Sequence, residues 1–266
     1  MTGKTREKEE RDMRIGITER GDAGLDLSWK DRLREVDGCV LVTKRLSRRF
    51  CEALLEADDG RIVLHATCTG WGGTAMEPNV YAPGQTLSSL GRLVAAGFPK
   101  ERCVLRIDPV VPTEEGLRRL ADTVGACEAD PLLRGVRKRV SVLDQYRHAR
   151  ERMAAAGIDV GYPGGGFRPS REQWDAVAAT LAGLHERHGA VFETCAEPEL
   201  AALPCVEVCG CIGPRDLALM GLEAPDGCGS NPQGRSGCLC LSCKTELLTR
   251  KERCPHGCLY CYWRDR

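Results

Sequence analysis

Six short apolar runs separated by helix-like segments restrict what this chain can fold into more than any other feature. They are MRIGIT (13–18), CVLVT (39–43), RIVLHAT (61–67), CVLRIDP (103–109), VSVLD (140–144) and AVFET (190–194). Each is almost continuously apolar, the pattern of a strand buried on both faces of a parallel sheet. The segments between them carry helix signals. Ser170 and Gln173 form a capping box ahead of WDAVAATLAGL, and Gly189 follows as a helix-ending glycine. Thr113 precedes Glu114 and Glu115, an N-cap followed by acids that suit the positive end of a helix. Consecutive βαβ units of this kind give an α/β protein, either an open doubly wound sheet or a partial TIM-like (β/α)6 barrel.

In both architectures functional side chains gather where strands end. Those positions are polar here: Thr18, Glu19, Arg20, Thr43, Lys44, Thr67, Thr69, Arg106, Asp108, Ser141, Asp144 and Glu193. Arg106 lies inside VLRIDPV between apolar neighbours, so its charge needs a partner or a ligand. The glycine-rich stretches TGWGG (69–73) and YPGGGF (162–167) match no phosphate-binding pattern and are expected as loops over a site.

The 38 basic and 38 acidic residues cancel, so no overall field draws nucleic acid or an anionic membrane. Nucleic acid is not expected as a partner. The opening MTGKTREKEERDMR lacks the apolar stretch of a secretory signal, and no run of eighteen apolar residues occurs, which suits a soluble cytoplasmic protein without a membrane partner. Sixteen cysteines in a reducing compartment are thiols for metals, clusters or redox chemistry. Six of them (Cys39, Cys51, Cys68, Cys103, Cys127, Cys195) are scattered over the first 200 residues. Ten (Cys205, Cys209, Cys211, Cys228, Cys238, Cys240, Cys243, Cys254, Cys258, Cys261) crowd into the last 66. The chain is therefore divided into a disordered polar N-terminus over 1–12, a β/α-repeat barrel over 13–200 and a cysteine-rich region over 201–266.

From Ala201 the strand-helix pattern dissolves into CVEVCGC, GCGSNPQG and GCLCLSC. A segment with so little apolar residue to bury folds around metal, because coordination supplies the missing enthalpy. Cys254, Cys258 and Cys261 have the spacing Cys-x3-Cys-x2-Cys. Three thiolates so placed can hold three corners of a cubane 4Fe-4S cluster and leave its fourth iron open to a small molecule. Zinc usually takes four protein ligands, and His256 is the candidate for adding one. Gly257 gives the loop its freedom to wrap, and Tyr260 can pack beside a cluster.

CPHGCLYCY resembles the motif of the radical S-adenosylmethionine (SAM) superfamily, in a tyrosine-rich form similar to that of spore-photolyase-like proteins. In most of that superfamily the motif lies near the N-terminus. The chain more closely resembles a small family of unknown function that looks like a rearranged radical SAM barrel, with its cluster motif at the extreme C-terminus. The likeness is carried by VLVTKR (40–45), EPNV (77–80), VLRIDPV (104–110), VSVLDQY (140–146), ETCAEPEL (193–200) and CGCIG (209–213). ITERGDAGLD (17–26) departs from the Ser-Arg-Arg-Thr-Asp-like run typical of that family.

The resemblance implies a 4Fe-4S cluster on Cys254, Cys258 and Cys261, with SAM chelated by its open iron. It implies reductive cleavage of SAM to a 5'-deoxyadenosyl radical that abstracts a hydrogen from a small-molecule or peptide substrate, with an electron donor such as flavodoxin or ferredoxin. Tyr260 is then expected beside the cluster, and Thr43, Lys44, Arg106, Asp108 and Glu193 at the barrel mouth, contacting SAM or substrate. Arg106 suits a carboxylate. Cys195, Cys211, Cys238 and Cys240 are expected to hold an auxiliary 4Fe-4S cluster, leaving Cys205, Cys209, Cys228 and Cys243 to replace one of them or to bind a zinc or a third cluster. Cys39, Cys51, Cys68, Cys103 and Cys127 are expected as small core residues. In a nearly closed barrel the two ends of the sheet meet, so a loop after the last strand can cap the mouth that a loop after the first strand usually caps. The alternatives are a zinc-rich interaction protein without radical chemistry, and an electron carrier.

Overall fold

The computed structural model describes residues 13–224, 237–249 and 254–263. The expected disordered segment 1–12 and Cys228 lie outside the described residues. Eight strands form one sheet: β1 (Ile15–Ile17), β2 (Gly38–Thr43), β3 (Ile62–Thr67), β4 (Cys103–Val110), β5 (Arg137–Val142), β6 (Phe192–Thr194), β7 (Val206–Val208) and β8 (Lys244–Glu246). Their spatial order is β7-β6-β5-β4-β3-β2-β1-β8, and every neighbouring pair is parallel. All six expected strands are present, and the two additional ones come from the cysteine-rich region. That region therefore joins the sheet instead of following it. A six-unit sheet becomes an eight-stranded one, and among the described residues no ladder joins β7 to β8, so a closed barrel is not what the strand pairing shows.

The parallel crossovers are made by α1 (Trp29–Arg32), α2 (Arg48–Ala57), α3 (Pro83–Ala95), α4 (Glu114–Ala129), α5 (Arg147–Ala155) and α6 (Arg171–His188), with α7 (Pro214–Leu219) between β7 and β8. Side chains alternate across a strand, so a strand covered on both sides sends successive residues into two different cores. In β2, Cys39 and Leu41 pack with Trp29, Phe50 and Leu54 in the helix layer, while Val40 and Val42 join Ile15, Ile17, Val63 and Val104 on the other face. That second face is filled by Ile212, Leu217, Met220 and Leu241, from the segments around α7 and before β8. Cys39, Cys68, Cys103 and Cys127 are buried in the helix-side core and Cys51 packs against it, as small apolar residues do. α6 begins at the expected capping box and ends at Gly189, whose φ of 66° is the left-handed conformation that glycine adopts without strain.

Toward β5 and β6 the same inner face turns from apolar to ionic. The register sets Val104 against Arg137, Arg106 against Arg139, and Arg139 against Glu193. Arg137 Nε donates to Glu193 at 2.7 Å and its Nη1 to Asp216 of α7 at 2.8 Å, while Arg139 Nη2 donates to Glu193 at 2.6 Å. All four side chains are almost wholly buried. Between them Lys138 points to the other face, where it pairs with Glu128 of α4. The start of β5 therefore lies three residues earlier than the apolar run VSVLD suggests, because RKR is buried by partners distant in sequence.

Candidate functional site

The segment from Cys254 to Trp263 folds over the C-terminal ends of the strands, held by loops that follow four of them. After β1, Asp22 Oδ2 lies 2.7 Å from His256 Nε2. The same carboxylate accepts from the Lys44 amide at 2.7 Å, the Gly24 amide at 2.8 Å and the Thr43 hydroxyl. After β2, Lys44 Nζ donates to Glu77 Oε1 at 2.8 Å and stands 5.6 Å from the centre of the Tyr260 ring. After β3, the Leu259 amide donates to Met76 O at 3.0 Å, Asn79 Nδ2 to Pro255 O at 2.8 Å, and the Tyr260 hydroxyl donates to Glu77. After β5, Arg152 of α5 donates to the carbonyls of Leu259 and Cys261. Gly257 turns the chain just before Cys258 with a φ of 67°. The last cysteine motif thus sits at the mouth where strands of a parallel sheet present their loops.

Burial and charge set the protonation of this hub. Burial works against the Asp22 carboxylate, but hydrogen bonds from His256, Thr43 and the Lys44 amide hold its pKa below the usual value. Burial likewise opposes the charge of Lys44, and Glu77, Cys258 and Asp108 outweigh it, holding the ammonium above its usual value. Glu77 is buried yet kept low by Lys44 and Tyr260, whereas burial and Glu77 push the Tyr260 phenol well up. Burial, aided by Glu77, Cys261 and Cys254 and opposed by Lys44, raises the Cys258 thiol to about 12, which a bound cation would reverse.

The three thiols of the motif differ in exposure: Cys254 is exposed, Cys261 half-buried and Cys258 buried. His256 has Nε2 on Asp22 and Nδ1 facing Asn79 O at 3.5 Å, so both ring nitrogens are engaged inside the protein and neither is spare for a metal. The donor set of the motif is therefore three thiols.

The other residues expected at the site divide. Thr43 orients Asp22, Lys44 and Tyr260 meet on Glu77, and Arg106 pairs with Asp108 on the last part of β4, both partly exposed. Glu193 is spent elsewhere: its carboxylate accepts from Arg137, Arg139 and Arg215. Cys195, Cys211 and Cys240 come together as a second thiol group, all three sulfurs within 4.8 Å of one another, and Cys238 lies nearby without joining the three. Cys205 is buried in the helix-side core, Cys243 packs against the inner one, and Cys209 lies near Arg139 and Cys211. Asp22 and Glu77 are the residues that sequence reasoning missed. Glu77 stands in the EPNV stretch, and Asp22 inside the stretch read as a departure from the related pattern.

An eight-stranded parallel α/β sheet whose strand ends are capped by a cysteine loop defines the class of protein. The chain belongs to the family described as Domain of unknown function (DUF1848), whose model matches residues 28–263. No curated protein matches the chain. No helix among the described residues is long and apolar enough to cross a membrane.

Proposed function

We propose that this protein is a radical SAM enzyme of cytoplasmic location, built on a barrel-like sheet left open between β7 and β8. The observation that carries the reading is the docking of a three-thiol Cys-x3-Cys-x2-Cys loop on the C-terminal ends of the strands, with its only histidine already engaged. A set of three thiols suits a cubane 4Fe-4S cluster with one iron left for SAM and falls short of the four ligands of a structural zinc. Bound there, the cluster and SAM would supply one-electron reductive cleavage and hydrogen abstraction.

The chain's own residues hold and shield that chemistry. Asp22, Asn79 and Arg152 fix the loop by its side chains and carbonyls, and Tyr260 closes one flank of it over Lys44. Lys44 places a positive charge near Cys258, favouring its thiolate. Glu77 Oε2 is buried without a hydrogen-bond partner among the described residues and offers an acceptor to an ammonium group. Arg106 and Asp108 line the same mouth, and a substrate carboxylate would share Arg106 with Asp108. The substrate is a small molecule or a peptide, and the electron comes from a donor such as flavodoxin or ferredoxin.

The test is anaerobic purification, measurement of iron and acid-labile sulfide, then reduction in the presence of SAM and assay for 5'-deoxyadenosine. The expected result is a brown protein with about four irons and four sulfides that depend on Cys258, and deoxyadenosine that disappears in Cys258→Ala. Zinc without iron, or deoxyadenosine unchanged in the variant, overturns the reading.

A further inference from the structure

The two thiol groups differ in size, and the second sits where the sheet lacks a ladder. β7 and β8 are its edges. Between their flanking segments the contacts are irregular: Leu241 N donates to Ile212 O at 3.2 Å, and the Cys211 amide donates to Cys240 Sγ at 3.1 Å. The backbones approach so closely that a Cβ on Gly210 would lie 2.5 Å from Leu239 O, so only glycine fits there. Cys195 enters from the residue after β6, and its sulfur is 3.9 Å from that of Cys240. Three strands of the sheet's open side thus send a thiol to one point.

The spacing decides what could sit among them. A single ion bound tetrahedrally at about 2.3 Å to sulfur sets its thiolates about 3.8 Å apart. A cubane gives each thiolate its own iron and spreads them much more widely. The 3.9 Å pair and the 4.8 Å limit on the trio match the single ion. Cys254, Cys258 and Cys261, also described, do not form so tight a group. The surroundings fit an anionic centre: Arg139 Nη1 donates to Cys211 O at 2.9 Å, and Arg106 and Lys244 both lie close enough to feel the Cys211 sulfur.

We infer that Cys195, Cys211 and Cys240 bind one metal ion of the zinc or ferrous class, with Cys238, which lies outside the trio's 4.8 Å, closing in as the fourth ligand, and that this ion joins the β7 and β8 sides of the sheet in place of the missing ladder. This departs from the auxiliary 4Fe-4S cluster expected from sequence, and it stands whether or not the Cys254 motif carries radical chemistry. With Cys238 as the fourth ligand every position belongs to the protein, and the ion's role is structural.

The experiment counts metals in the full chain carrying Cys254→Ser, Cys258→Ser and Cys261→Ser, grown with both iron and zinc supplied. The expected result is one metal ion per chain without acid-labile sulfide, and a metal content that falls about tenfold or more when Cys195→Ser or Cys240→Ser is added. Cys209→Ser leaves it unchanged. X-ray absorption on the bound metal then shows sulfur at about 2.3 Å and no neighbouring metal. Should the multiple variant fail to fold, the unaltered protein serves: one extra ion beyond the iron that matches sulfide supports the proposal. About eight irons with eight sulfides, or metal indifferent to Cys195 and Cys240, overturns it. Hydrogen exchange at the Leu241 amide, about tenfold faster after the ion is removed, reads the closure itself.

Discussion

The two sides of the sheet are held by different forces. From β2 to β4 the strands are six to eight residues long and packed on both faces by aliphatic side chains, with helices α2, α3 and α4 as backing. From β6 to β8 the strands are three residues each. Beside them the inner face carries Arg137 and Arg139 of β5, Glu193 of β6 and Asp216 of α7, and thiols meet at the edge. The first side gains its stability from area removed from water, a non-directional term that tolerates small changes of shape. The second depends on paired charges whose separate members are costly to bury, so it fails sharply when one partner is lost.

The strongest way to break this contrast is Glu193→Ala. It leaves Arg137 and Arg139 buried with one acceptor fewer each, and unfolding in denaturant is expected to be easier by about 3–5 kcal/mol. A cost below about 1 kcal/mol would mean that water reaches this network freely.

A middle-sized effect tests the mouth. Glu77 is buried and its pKa is depressed, so its ionised form adds stability that is present above the ordinary carboxylate value near 4.3 and lost as pH falls through the lower folded-state value. Glu77→Gln should be less stable than the parent by about 1–3 kcal/mol at neutral pH, and the gap should close on acidification below about pH 4. Thermal melts of both proteins across pH check this, and a gap that widens in acid would reverse the assignment of charge.

The smallest effect sharpens the aliphatic side. Ile62 is 1% exposed in the helix-side core, and Ile62→Val should cost about 0.5–1.5 kcal/mol with no dependence on pH or chelators. Sensitivity to chelators at this position would show that the aliphatic side does not unfold separately from the thiol groups.

The same contrast explains what could be read from the amino acids alone. β2, β3 and β4 are legible to within one residue at each end, because burial on both faces makes them largely apolar. Sequence places β5 toward its apolar half, since nothing local announces that Arg137, Lys138 and Arg139 will find Glu193, Asp216 and Glu128. VEV and KTE have no apolar run and become strands only because β6 and β1 offer them edges. At the site, the cysteine spacing is visible because the three thiols are near in sequence. Asp22 and Glu77 are not, because their importance arises when loops 234 and 183 residues from their partners His256 and Tyr260 fold against each other.

The pairing of β1 with β8 also sets a timetable for the living molecule. During synthesis β1 emerges first, yet one of its two neighbours is encoded at residues 244–246. At about 5–20 residues per second, the ribosome needs on the order of ten to forty seconds after completing β2 to deliver that strand. Throughout that interval the nascent sheet has a bare edge that can recruit other chains. Completion of the sheet and protection of its edge therefore wait for the delivery of β8, and a chain cut short before Lys244 would leave β1 without its second neighbour.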